Sequence, residues 1–134
     1  MTPPPNSHEG TGEWHQTFPG KTEQVRAARR FVQAHLPNHP DADLIASELA
    51  TNAVEHTRTG QPGGIFTATV KHHPDGTAYI EIADQGGPIA FGIRTPAREG
   101  GRGLHLVTAL TTAWGVNGDA AGRIVWVQLP PPTP

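Results

Sequence analysis

Glu48, Asn52 and His56 stand four residues apart in a segment whose apolar residues recur with helical spacing, so the three side chains share one face of a helix. A carboxylate, an amide and an imidazole in one row have the donors and acceptors of a polar site. Leu44, Ile45, Leu49 and Val54 form an apolar stripe beside them, which sets the row at the rim of a core and so beside a cleft. Taken alone, the same helix also reads as an ordinary solvated face.

Two further segments carry candidate chemistry. In the alternating run that ends at Asp84, the side chains of Ile80, Ile82 and Asp84 fall on one face, so a carboxylate points the way two core residues point. Asp84 either nucleates the turn at Gln85-Gly86-Gly87-Pro88 or accepts a hydrogen bond from the exocyclic amine of a base, the glycines then letting a ligand approach the backbone. Further on, Gly100-Gly101-Arg102-Gly103 opens a helical pattern. A glycine-rich turn feeding a helix N-terminus presents free backbone N–H groups and suits phosphate; the plainer reading is a flexible loop before a helix. Arg94, Arg98 and Arg102 lie in the same stretch, available to phosphate oxygens or to solvent.

The elements that position these residues follow from periodicity and punctuation. Thr22 is the expected N-cap of a helix to Leu36, with Val25, Ala28, Phe31, Val32 and Leu36 inward, stopped by Pro37 and Pro40. Asp41 caps a second helix, which bears the Glu48 row and ends before residues 60–64, rich in Gly and Pro. Two alternating runs, Ile65 to His72 and Thr77 to Asp84, joined by His73-Pro74-Asp75-Gly76, predict a hairpin. A third helix is expected near Arg102 to Thr112, with Leu104, Val107 and Leu110 inward, then strands near Trp114 to Asn117 and Ile124 to Leu129. Strand, two helices, hairpin, loop, helix, hairpin predicts a two-layer α/β sandwich, its mixed, largely antiparallel sheet covered on one face by three helices.

With 134 residues, the chain has the length of one domain, expected over residues 13–130 between disordered tails at 1–12 and 131–134. Its formal charge of -2, with no block of like charges, gives no footprint for nucleic acid or an anionic membrane. The absence of cysteine excludes disulfides, thiolate zinc sites and thiol catalysis. The eight histidines have poor spacing for a zinc hydrolase and are expected mostly at the surface. The start Met-Thr-Pro-Pro-Pro has neither region of a signal peptide, so a cytoplasmic protein is expected.

In order along the chain, Glu48-x-x-x-Asn52-Ala53 with His56, Asp84-x-Gly86-Gly87 and Gly101-Arg102-Gly103-Leu104 resemble the N, G1 and G2 boxes of the GHKL ATPase superfamily, which includes gyrase, histidine kinases and anti-sigma-factor serine kinases. The chain is most similar to the last group, the small stand-alone regulators of actinobacteria; Phe18-Pro19-Gly20, Val25 to Arg29 and Trp114-Gly115-Val116 extend the likeness over nearly all of the folded part. The resemblance implies the Bergerat, histidine-kinase-like fold, with ATP and Mg²⁺ as cofactors. It implies that Asn52 ligates Mg²⁺, that Glu48 is the base or orienter of the attacking oxygen, and that Asp84 reads adenine N6. His56, Gly86, Gly87, Arg98, Gly101, Arg102, Gly103 and Leu104 would complete the nucleotide contacts, residues 88–100 forming a lid. Its implied partners are a sigma factor and an anti-sigma antagonist phosphorylated on serine, and it is compatible with a homodimer; a non-catalytic, nucleotide-dependent switch is the alternative. Two departures stand out: Gly86-Gly87-Pro88 lacks one spaced glycine of the G1 box, and Gly122-Arg123-Ile124-Val125 lacks the small late-strand hydroxyl that shares a water with the adenine carboxylate.

Overall fold

The computed structural model describes residues 12–87 and 107–132. Its elements are β1 (Gly12–Pro19), α1 (Thr22–His35), α2 (Ala42–His56), a 3₁₀ turn (Arg58–Gly60), β2 (Ile65–His72), β3 (Ala78–Asp84), β4 (Ala113–Asp119) and β5 (Gly122–Leu129). Residues 107–110 are also helical. The strands form one sheet in the order β1-β2-β3-β5-β4, every neighbouring pair antiparallel, so each of the two expected hairpins is present.

Alternation along the strands fixes which face meets the helices. Register pairs Phe18 with Phe66, Ala68 with Ile82, Ile80 with Val127 and Ile82 with Val125, and all of these side chains are buried. The opposite face is more polar: Tyr79 stacks on Trp126 with centroids 6.2 Å apart and donates its hydroxyl to Glu81 at 2.7 Å, while the Lys71 ammonium stands over its ring. Burial and the Glu81 carboxylate together raise the Tyr79 phenol far above its ordinary value. This is a two-layer α/β sandwich with the helices on one face.

The helices begin and end for local reasons. α1 starts at Thr22 itself, with Lys21 in the N-cap position and no side-chain cap, which corrects the expectation that Thr22 would be the cap. It ends as Leu36 leaves helical geometry and donates its N–H back to Val32 and Gln33, one residue before Pro37. Asp41 holds the N-cap position of α2, yet its side chain makes no capping bond. Along α2 the buried stripe is Ala42, Ile45, Ala46, Leu49, Ala50 and Ala53, whose small residues admit close packing. Leu44, expected in this stripe, is instead 40% exposed on the flank that holds Glu48 and Glu55. His39 also departs from expectation, since it is buried and its Nε2 bonds the Gly76 carbonyl at 3.0 Å, tying the α1–α2 connection to the β2–β3 turn. Among the described residues no helix is long and apolar enough to cross a membrane.

A compact junction closes the space between α2 and the sheet. Thr59, fully buried in the 3₁₀ turn, donates its hydroxyl to the Ile65 carbonyl at 3.0 Å and accepts the Gln85 N–H at 2.9 Å. One hydroxyl therefore joins the start of β2 to the end of β3. Replacing Thr59 with Val keeps the shape but leaves the Gln85 N–H and the Ile65 carbonyl at this part-buried joint without their partner, so Thr59→Val should destabilise the fold by about 1–3 kcal/mol. Chemical denaturation of parent and variant checks this, and equal midpoints would refute the joint.

Candidate functional site

At 100° per residue, α2 has two distinct flanks beside its buried stripe. Thr51, Val54 and Glu55 face α1, where with Thr22, Glu23, Val25, Arg26 and Arg29 they line a cavity of about 570 Å³. Glu48, Asn52 and His56 do not line that cavity, so it is separate from the row. Asn52 is only 9% exposed. Glu48 has its carboxyl raised above the usual range, first by burial and then by the negative charge of Glu55 two turns on. A carboxylate with raised proton affinity thus stands one turn from a buried amide. His56 ends the row, its Nε2 4.0 Å from Glu55 Oε1.

The hydrogen bonds of the junction carry the end of this row to the end of β3. Arg58 donates its backbone N–H to the Gly86 carbonyl at 2.7 Å, and its guanidinium bonds the Ala120 carbonyl in the β4–β5 turn. Gly86 has φ +76°, and a Cβ there would lie 2.3 Å from the Ala120 oxygen, so only glycine passes this point without displacing the turn. Gly87 runs alongside the last turn of α2: a Cβ on it would meet Thr57 Cα at 3.3 Å and the His56 carbonyl at 3.5 Å. The sequence thus brings His56 and the two glycines together by backbone.

Asp84 sits at the same junction, partly buried, at the last position of β3. Its Oδ1 accepts the Gly86 N–H at 2.6 Å, so the carboxylate does organise the turn, as one of its two readings required. Burial raises its proton affinity above the ordinary value, opposed by the Gly86 N–H, the positive charge of Arg123 and the Arg123 backbone N–H. Arg123 is the register partner of Asp84 on β5; it is 5% exposed and donates Nη2–H to the Gly87 carbonyl at 2.9 Å. On the late strand that lacks a small hydroxyl, the chain places a buried guanidinium.

Arg98, Gly101, Arg102, Gly103 and Leu104, together with the expected lid at 88–100, lie outside the described residues. Sequence reasoning had not singled out Arg58 or Thr59, which lock α2 to β3. Their signal was faint: a Thr-Arg-Thr-Gly run directly after the helix, whose polar groups look like solvent-facing loop until register brings β3 and the β4–β5 turn beside them.

The residues present suit a nucleotide with its metal. A largely buried amide one helical turn from a carboxylate is a hard-oxygen donor set of the type Mg²⁺ takes while keeping phosphate oxygens and waters as its other ligands. An acceptor carboxylate flanked by glycine backbone suits an exocyclic amine. No curated protein matches the chain. A family model described as histidine kinase-like ATPase domain matches residues 18–129, a span that runs from the end of β1 to the end of β5 and takes in α2, Asp84 and both hairpins, and the chain belongs to that ATP-binding family.

Proposed function

We propose that this domain binds Mg-ATP as a protein switch, holding a sigma factor and phosphorylating a serine of its antagonist. The observation that carries the reading is the placement on α2 of Glu48, whose proton affinity is raised, one turn from the largely buried side chain of Asn52. In the proposed reaction the serine oxygen bonds to the γ-phosphorus as the bond to the β,γ-bridging oxygen breaks. ADP leaves, and Glu48 orients the hydroxyl and takes its proton. A base is more effective as its pKa rises toward the working pH, and burial moves Glu48 in that direction. Asn52 would hold Mg²⁺ through its amide oxygen, the metal supplying charge neutralisation at the triphosphate. Asp84 would accept the adenine N6 amine, while guanine presents an oxygen there and is repelled. A switch in which bound nucleotide alters partner affinity without transfer is the second reading, favoured by the junction that links the base end directly to α2.

Three variants test these roles. Glu48→Gln should bind Mg-ATP like the parent but transfer phosphate to a co-encoded antagonist about 10²- to 10⁴-fold more slowly, measured with labelled ATP. Transfer at the parental rate would remove Glu48 from the chemistry, whereas no transfer by the parent, with nucleotide still altering sigma-factor affinity, would establish the passive switch. The same variant has a stability signature. A carboxyl whose pKa is raised in the fold binds protons more tightly there than in the unfolded chain, so stability falls as pH rises from the unfolded value through the folded one. Glu48→Gln should therefore melt at or above the parental temperature at neutral pH, the difference closing below about pH 4.

Asn52→Ala should keep the fold and lose the Mg²⁺-dependent part of ATP affinity, read by titration with and without the metal; an unchanged metal dependence would refute the ligand assignment. Asp84→Asn presents a donor as well as an acceptor and should lose the preference for ATP over GTP, a mispaired buried group costing about 1–3 kcal/mol. Calorimetry giving the parent equal affinities for the two nucleotides would overturn the base contact.

A further inference from the structure

We propose that Arg123 is a positioning residue for base recognition: from the strand position opposite Asp84, it holds that carboxylate and the Gly87 carbonyl in one arrangement, so nucleotide selectivity depends on it without its touching the base. This rests on the reading of Asp84 as acceptor of the base amine.

Val125 and Val127 share the core-facing side of β5 with Arg123, and Ile80 and Ile82 share that side of β3 with Asp84. At the end of two otherwise apolar faces stand a cation and an anion, side by side in register. A buried guanidinium is costly unless its charge and donors are compensated; here Asp84 stands beside it in register, its carboxylate favoured as the anion by the cation, and Nη2–H is donated to the Gly87 carbonyl. That bond ties down the backbone immediately beyond the turn that Asp84 itself forms with Gly86. The guanidinium has several donors in a fixed plane, so it can serve the carboxylate field and the carbonyl together, which the point charge of lysine cannot do with the same geometry. An acceptor that must tell an amine from a carbonyl has to be ionised and immobile. Burial acts against the first requirement, and Arg123 acts against burial.

Two substitutions separate these duties. Arg123→Gln retains an N–H donor for the Gly87 carbonyl and loses the charge; Arg123→Lys retains the charge and loses the planar fork. ATP and GTP affinities are measured by calorimetry across acid to neutral pH for the parent, both variants and Asp84→Asn, after circular dichroism and melting establish the fold of each. The other ionisable groups at the junction, His56 at the end of α2 and Arg58 on the 3₁₀ turn, are the same in all four proteins. In Arg123→Gln the pH at which ATP affinity falls on acidification should move upward, because the carboxylate protonates more readily without the neighbouring cation. In Arg123→Lys that pH should stay near the parental value while the preference for ATP over GTP drops at least about tenfold, the loss from one misplaced charged hydrogen bond. Absence of either effect in a folded variant overturns the proposal, and so does loss of fold in both variants, which would assign Arg123 to the sheet alone. If the parent shows no preference for ATP, or Asp84→Asn keeps it, the base contact itself fails; if Asp84→Asn loses it and the Arg123 variants do not, only the positioning role fails.

Discussion

Everything at the site depends on how the C-terminal end of α2 is bonded to the end of β3. A helix packed on a sheet through alanines and one apolar stripe is free to slide until directional bonds fix it, because hydrophobic contact carries little directional information. Here the fixing bonds run from Arg58 N–H to the Gly86 carbonyl and from Thr59 to both Ile65 and Gln85. They set the depth and rotation of α2 relative to the strand that carries Asp84. Glu48 and Asn52, two turns and one turn back from His56, are thereby placed at a defined distance from the Asp84 carboxylate. Any ligand that spans the two ends reads that distance.

The same junction explains why the glycines cannot be replaced by other residues. Gly86 passes beneath the β4–β5 turn with positive φ, and Gly20 and Gly64 each lie so close to the Thr59 carbonyl that a Cβ would be 1.9 Å from its oxygen. These contacts let the backbone of three separate segments converge around one threonine. Close backbone convergence requires that the polar groups be satisfied locally, which is why Thr57, Thr59 and Gln85 all spend their side chains on main-chain partners.

Much of this was legible from residue order. The alternation in β2 and β3, the proline stop after α1 and the four-residue spacing of Glu48, Asn52 and His56 are local signals, and the elements they mark form nearly as expected. Leu44 and His39 were misjudged for the same physical cause: exposure is decided by what packs opposite, and the sequence does not state it. A leucine next to the polar row stays 40% exposed, while a histidine between two prolines is covered by the β2–β3 turn. Arg123 could be noticed as an odd residue on a late strand, but its meaning needed the register, since a shift by one residue would put it on the opposite face.

Register also decides how the charges at the site relate to stability. Asp84 and Glu48 each hold their protons more tightly in the fold than a free side chain does, so as anions both make the folded state less stable near neutrality. Structural carboxylates are ordinarily arranged the other way, with partners that lower their pKa and stabilise the native state. For Asp84 the partial remedies are the Gly86 N–H and Arg123, and both come from segments that meet at this junction. For Glu48 the neighbouring negative charge of Glu55 adds to the effect of burial. Two carboxylates kept against stability, on the two elements this junction joins, are what the proposed function asks for: a metal at one and an amine-bearing base at the other would supply what each lacks.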